Sequence, residues 1–585
     1  MKGNTTSSIA GSVKTISVFI FLFLLLGSKA LAAEELPIYN PRDIFQPVVG
    51  RNGMVSSANM YATEAGLQVL KEGGNAVDAA VTVGFTLAVT FPRAGNLGGG
   101  GFMLIYLADP RKVVAIDYRE KAPKAASRNM FLDETGNVNS DKSLHSLLAV
   151  GVPGTVAGLA LALDKFGSIS LERALRPAIE LAEKGFPMDS ELRRSLRSVE
   201  DQMKESTASM KIFYKLGGAT YDEGEVFRQE DLEWSLRQIA EHGPDAFYKG
   251  KIAEKIVRHM TKEGGLITLE DLASYTPVIR EPVHGTYRGY DIYSMAPPSS
   301  GGVHLVQMLN ILEGFPRRLY GHNTAKTIHI LVETMKLAFA DRSKYLGDPD
   351  FVPVPVAGLI SKDYANDLRK KLNIQRATPS GRISPGTPPG KKESADTTHF
   401  SVIDRYDNAV SNTYTLNFSY GTKITVPGTG ILLNNEMDDF SSKPGVPNAY
   451  GLIGGEYNSI EPEKRMLSSM TPTIVLQNGK PYLITGSPGG SRIITAVLQL
   501  VLNVVDFNMN IASATNGVRV HHQWLPDEVI VEDGLNGDTI RLLRGMGHRV
   551  VIGNTIGSTE SVMKIGDFLY GASDPRTPGG LTLGY

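Results

Sequence analysis

The spacing of apolar and polar positions changes part-way along the chain. From Ala58 to Gly73 apolar residues recur at helical intervals up to the stop at Gly73-Gly74, and Ala76 to Phe91 follows as a more apolar helix. Ser170 stands at the N-cap of a third helix, with Leu171, Leu175 and Ile179 on one face. After residue 397 the period drops to two. Thr398 to Ile403 and Asn408 to Leu416 read as a hairpin, and Thr473 to Leu476 with Tyr482 to Thr485 as another, turned at Asn478-Gly479. Gly489-Gly490 then feeds an apolar helix through Ile493, Val497, Leu500, Val501 and Val504. The pattern predicts one large mixed α/β unit, helix-rich in its first half and opening with strands in its second.

Between the halves lies a stretch with neither period. Residues 378–396 carry Thr378-Pro379-Ser380-Gly381, Ser384 to Gly390 and Lys391-Lys392-Glu393-Ser394, too little apolar surface to bury, and are expected to be a mobile tail. At the other end, Lys2 and Lys14, an apolar run from Ile16 to Leu26 and Ala30-Leu31-Ala32 predict a signal peptide over residues 1–32, hence a periplasmic or secreted protein. No later apolar run reaches the roughly 18 residues of a spanning helix. Loss of residues 1–32 removes three lysines and no acid, taking the formal charge from −1 to −4. Neither value suggests a nucleic acid or an anionic membrane as partner. The sequence has no cysteine, which excludes a disulfide framework, a thiolate nucleophile and a lipid-bearing Cys after the signal.

The junction Asp396-Thr397-Thr398-His399 has the layout of a chain that cuts itself. A threonine hydroxyl needs a nearby base, and an N-terminal threonine supplies one in its own amine, which titrates near ~8. Attack of the Thr397 hydroxyl on the preceding carbonyl turns the peptide into an ester. Water then releases a new N-terminal threonine that is both nucleophile and base.

Downstream follow Asn412-Thr413-Tyr414-Thr415-Leu416-Asn417, Leu432 to Phe440, Pro462 to Pro472 through Ser468-Ser469, and Thr485 to Arg492 through Gly489-Gly490. Upstream stand Gly95 to Phe102, Asp117-Tyr118-Arg119-Glu120-Lys121-Ala122-Pro123 and Pro297-Pro298-Ser299-Ser300-Gly301-Gly302, and near the end Gly571 to Arg576. In this order the series resembles the γ-glutamyltranspeptidase family over essentially the whole mature chain. The resemblance implies a four-layer αββα sandwich of the N-terminal nucleophile hydrolase type, built from a large fragment, 33–396, and a small catalytic fragment, 397–585, held as a heterodimer. It implies glutathione and other γ-glutamyl compounds as donors, water, amino acids or dipeptides as acceptors, and no cofactor or metal.

By motif match, Thr397 is the nucleophile, Thr415 supports it, and the N–H groups of Gly489 and Gly490 form the oxyanion hole. Arg119, Ser468 and Ser469 would hold the glutamyl carboxylate, and Asn417, Glu436 and Asp439 its ammonium. Some bacterial relatives carry Gln at the place of Glu436, so tighter ammonium binding is expected here. Asn434 to Tyr450 resembles the lid loop of some members, with Tyr450 closing over the glutamyl group, which favours small γ-glutamyl compounds over long polymers.

Other readings of these residues stand beside it. Gly98 to Gly101 lacks the Lys-Ser/Thr that follows a phosphate loop, so close backbone packing is expected. Ser299-Ser300-Gly301-Gly302 lacks the Gly-x-Ser-x-Gly elbow of serine hydrolases. His521-His522 would face opposite sides of a strand, a poor chelate, and is assigned to structure. The same scaffold serves cephalosporin (glutaryl) acylases, whose substrate lacks the ammonium. A catalytically silent γ-glutamyl-peptide binding protein is the alternative from another class, and it predicts an uncleaved chain.

Overall fold

Two seven-stranded antiparallel sheets stack face to face, and their strand order interleaves the two halves of the sequence. The computed structural model describes Gly3 and residues 44–316, 318, 320–388 and 398–585. The signal segment apart from Gly3, the last part of the expected tail, and Asp396 and Thr397 lie outside the described residues. One sheet runs Leu581–Gly584, Met54–Ser57, Thr398–Ile403, Ala409–Thr415, Gly100–Leu107, Lys112–Tyr118, Val278–Arg280. The other runs Val48–Gly50, Phe568–Ala572, Ser561–Ile565, Lys480–Thr485, Thr473–Gln477, Tyr290–Ser294, Val283–Tyr287.

Alternation along the strands builds the layers. In Gly100–Leu107, Phe102, Leu104 and Tyr106 point into the core between the sheets, while Met103 and Ile105 point outward. The outward set packs on helices Met60–Lys71, Ala76–Thr90 and Thr155–Phe166. The opposite sheet turns Val475, Leu483 and Ile292 toward Gly301–Leu312, Ala325–Tyr345 and Arg492–Val505. Both faces of each sheet are thus covered, giving the expected four-layer αββα sandwich. Among the described residues no helix is long and apolar enough to cross a membrane.

The local signals hold. Ser170 accepts the Arg173 N–H at 3.1 Å, and Asn478 and Gly479 take φ of 54° and 73° in the hairpin turn. The glycine run is a close approach of backbones: a Cβ on Gly99 would lie 1.9 Å from the Thr415 carbonyl oxygen, and one on Gly98 2.1 Å from that of Leu432. The tail departs from its compositional reading. Residues 378–388 are pinned, because neighbouring side chains satisfy their backbone: Ser380 N–H donates to Asp527 at 2.8 Å, Gly386 N–H to Asp341 at 2.7 Å, and the Trp524 indole to the carbonyls of Ser380 and Ile383 at 3.0 and 3.2 Å. Backbone hydrogen bonding needs no apolar side chain, so composition missed it.

Candidate active site

The hairpin Thr398–Ile403/Ala409–Thr415 pairs Thr398 with Tyr414, and Thr415 with Gly100 of the next strand. Its open end meets a cavity of about 320 Å³ lined by Thr398, Thr415, Asn417, Tyr450, Gly489 and Gly490, together with Phe418, His399 and Glu560. Thr397 is joined to this wall through one peptide bond.

Gly489 and Gly490 have φ of 128° and 63°, backbone that side chains rarely adopt, at the turn from strand Lys480–Thr485 into helix Arg492–Val505. Among the described residues neither N–H has an acceptor. Asn417 also takes a left-handed φ of 76°. Its N–H donates to Thr415 Oγ1 at 2.7 Å and its Nδ2 to the Asn435 carbonyl at 2.9 Å, which ties the cavity to the turn carrying Glu436 and Asp439. Asn417 Oδ1 is buried without a hydrogen-bond donor.

On that turn lies a buried charge cluster. Arg119 Nη1 is 2.6 Å from Glu436 and 3.4 Å from Glu120, and Nη2 is 2.6 Å from Asp439. Burial opposes the Arg119 charge, but the acids Glu436, Glu120 and Asp439 together hold its pKa above the usual arginine value. Burial pushes Asp439 up against the opposing pull of Arg119, and raises Glu120 to about 7. The guanidinium also donates from Nε to the Met466 carbonyl at 3.3 Å, two residues before Ser468. Both serine Oγ atoms are buried with no hydrogen-bond partner. Such orphaned hydroxyls cost about 1–3 kcal/mol each unless something polar meets them.

Pro297 to Gly302 has a supporting part here. The Ser300 N–H donates to the Ser468 carbonyl at 3.0 Å and the Ser468 N–H to that of Pro298 at 3.2 Å, so the motif holds the serine pair in place. Ser299 spends its hydroxyl on the Met470 carbonyl and is no nucleophile. The segment Asn434 to Tyr450, expected as a lid, holds a short 3-10 helix at Glu436–Asp439 and is otherwise turns and irregular backbone. Tyr450 stacks on Phe418 with centroids 4.5 Å apart and planes 6° from parallel, its hydroxyl donates to the Asn417 carbonyl at 3.1 Å, and its own carbonyl accepts from Gln523 at 3.1 Å.

The structure therefore brings Thr415, Asn417, Tyr450, Gly489 and Gly490 together on one cavity and Arg119, Glu436 and Asp439 together with the Ser468-Ser469 segment in a buried cluster, the two joined through the Asn417 bond to Asn435. The ligand assignment differs at two residues: Glu436 and Asp439, both expected on an ammonium, each lie 2.6 Å from Arg119. His521 and His522 are buried in hydrogen bonds to Thr495, Gln523 and Asp527. His329, Glu333 and His548 could offer metal-ligand atoms within 4.8 Å of one another. There, however, the two imidazoles hydrogen-bond each other at 2.7 Å, and the Lys336 ammonium sits 3.0 Å from Glu333. A lysine already supplies the cation that this carboxylate needs.

Sequence reasoning missed Glu120 and Glu560. Glu120 was legible only as the neighbour of Arg119. Glu560 gave no signal, yet its buried carboxyl lines the cavity, accepts from Ser56 at 3.0 Å and Ser573 at 2.7 Å, and keeps Oε1 unpartnered. Burial raises it to about 8. A carboxyl raised on folding stabilises most below its unfolded pKa of ~4.3, and that contribution is lost as pH climbs to about 8. Glu560→Gln keeps an acceptor for both hydroxyls, so its Tm is expected to fall less than that of the unmodified chain between pH 5 and about 8. Parallel Tm–pH curves would contradict the assignment.

The Gamma-glutamyltranspeptidase family model matches residues 62–583. The chain belongs to this family. It is 54% identical to the glutathione hydrolase proenzyme of Escherichia coli K12 over 96% of this chain and 98% of that relative. The crystal structure of cephalosporin acylase from Bacillus halodurans superposes with a TM-score of 0.84 at 28% identity, covering 95% of this chain and 99% of the acylase. That of Helicobacter pylori gamma-glutamyltranspeptidase gives 0.56 at 47% identity, covering 60% and 97%. Family and fold agree: the αββα sandwich is shared with a cephalosporin acylase, and the sequence is closer to glutathione hydrolase.

Proposed function

We propose that this chain is an exported precursor that cleaves itself before Thr397 and then acts as a γ-glutamyltranspeptidase and glutathione hydrolase. The observation that carries the reading is the buried set of Arg119, Glu436 and Asp439, with the orphaned Ser468 and Ser469 hydroxyls on the segment Arg119 hydrogen-bonds, tied through Asn417 to the cavity that Gly489 and Gly490 line. A γ-glutamyl group ends in a carboxylate and an ammonium. Inserted here, its carboxylate takes Arg119 and the two serine hydroxyls, and its ammonium takes Asp439, Glu436 and Asn417 Oδ1. A planar guanidinium can grip both carboxylate oxygens.

With the amino-acid end so held, the γ-carbonyl faces Thr397. The Thr397 hydroxyl adds to it while the α-amine takes the proton, and the Gly489 and Gly490 N–H groups stabilise the oxyanion, each worth about 3 kcal/mol of barrier. The leaving amine departs with that proton and a γ-glutamyl ester remains on Thr397. Water or an amine then resolves it. Cleavage at 396/397 would not separate the fragments, because Met54–Ser57 lies between Leu581–Gly584 and Thr398–Ile403, and Gly100–Leu107 pairs with Ala409–Thr415. The other sheet likewise pairs Tyr290–Ser294 with Thr473–Gln477, so the heterodimer is woven through both sheets.

The glutaryl acylase reading shares the fold. Against it stand the two buried acids, which a glutaryl chain would leave without an ammonium. Turnover of γ-glutamyl p-nitroanilide is expected to exceed that of the glutaryl anilide by at least about 10²-fold in kcat/KM, since a site built for a polar group rejects the analogue lacking it. Equal rates would move the chain to the acylases.

A further inference from the structure

Tyr450 is gripped from two sides. Its ring stacks on Phe418 and its hydroxyl donates to the Asn417 carbonyl, and both of those residues line the first cavity. Its main chain is held by Gln523, a half-buried residue that donates from Nε2 to the Tyr450 carbonyl at 3.1 Å and to the Leu525 carbonyl at 3.4 Å. Gln523 Oε1 accepts from the Ser491 hydroxyl at 2.6 Å and lies 3.0 Å from Nε2 of the buried His521. Both donors and both acceptor positions of the amide are thus in use. Turned over, the amide would set its oxygen against two carbonyl oxygens, so the neighbours select this orientation. The approach is close: a Cβ on Gly451, whose φ is 73°, would lie 3.1 Å from Gln523 Nε2.

Ser491 directly follows Gly490, and the Arg492 and Ile493 N–H groups donate to the Gly489 and Gly490 carbonyls at 3.2 and 3.1 Å as helix Arg492–Val505 begins. One amide therefore links the end of the expected lid to the turn expected to hold the oxyanion. The segment carrying Gln523 is itself anchored. Trp524 donates to the carbonyls of Ser380 and Ile383, and Asp527 accepts the Ser380 N–H.

We propose that Gln523 is a positioning residue for acyl transfer: it pins Tyr450 to the Gly489-Gly490 turn, so that the lid stays over the glutamyl group while the γ-carbonyl occupies the oxyanion hole. The inference rests on the γ-glutamyl reading above. Gln523 acts through Tyr450 and Ser491 rather than on the reacting atoms.

Two variants test it. Gln523→Glu keeps an acceptor for Ser491 but has no N–H for the Tyr450 carbonyl, and Gln523→Met has a similar length and keeps neither bond. Both are expected to cleave themselves and to raise KM for γ-glutamyl p-nitroanilide by about tenfold, with kcat changed by less than about threefold. A merely structural glutamine would lower Tm and leave KM alone. In a Tyr450→Ala background, Gln523→Glu is expected to add less than about twofold in KM, because the side chain that it positions is gone. Hydrogen exchange reads the clasp without substrate: amides from Gly445 to Leu452 are expected to exchange about tenfold faster in both variants. Unchanged exchange, an unchanged KM, or a KM effect of full size in Tyr450→Ala would overturn the assignment. Absence of γ-glutamyl turnover in the unmodified enzyme would overturn the function reading and the positioning role with it, while the exchange result would still decide whether Gln523 holds the lid.

Discussion

Thr397→Ala is expected to leave one uncleaved chain with no measurable turnover of γ-glutamyl p-nitroanilide. Alanine has no hydroxyl to attack the Asp396 carbonyl, so the precursor keeps its internal peptide and position 397 never gains a free amine. Nucleophile and base vanish in one substitution. Removing the nucleophile of an acyl-transfer enzyme costs on the order of 10⁶ in kcat, and the lost base adds nothing once the nucleophile is gone. Position 397 is bonded to a strand start buried among first-half elements, so the variant is expected to fold, with an unchanged circular dichroism spectrum. A folded Thr397→Ala protein that still turned over the anilide would refute the mechanism.

Arg119→Lys is expected to cleave itself normally and to raise KM for γ-glutamyl donors by about 10- to 100-fold, with a smaller change in kcat. Arg119 meets Glu436 with one terminal nitrogen and Asp439 with the other, each at 2.6 Å. A lysine ammonium is a single point and cannot span both acids while also gripping a substrate carboxylate. It keeps the charge, which is why it is the sharper probe. Arg119→Ala would bury three acids without a counter-charge, at about 3–5 kcal/mol, and confound binding with stability. Michaelis constants for the anilide decide the matter: a normal KM in Arg119→Lys would remove Arg119 from the substrate.

Much of the fold was written locally. The Asn478-Gly479 turn, the Ser170 cap and the period-two run from Thr398 depend on residues a few positions apart, and these were legible. The layer order was not, because strand neighbours such as Met54–Ser57 and Leu581–Gly584 come from opposite ends of the chain. It entered through the family resemblance. For the site, motif matching proposed the residues, but not whom they touch. That Glu436 lies on Arg119, and that Ser468 and Ser469 keep unpartnered hydroxyls, are facts about packing between distant segments. Glu560 shows the limit most clearly. A glutamate between Thr559 and Ser561 reads as an ordinary residue before a strand, and only three-dimensional burial beside Ser56 and Ser573 turns it into a carboxyl raised to about 8. The stretch 378–388 erred the other way: Gly, Ser and Pro signalled mobility, while Asp341, Asp527 and Trp524 hold the segment through its backbone.

The central claim is that the chain makes its own nucleophile by cutting before Thr397, and the intact masses of the purified protein under denaturing conditions test it most directly. Two chains, one ending at Asp396 and one running from Thr397 to Tyr585, are the predicted result. A single stable chain continuous through 396/397 would contradict it.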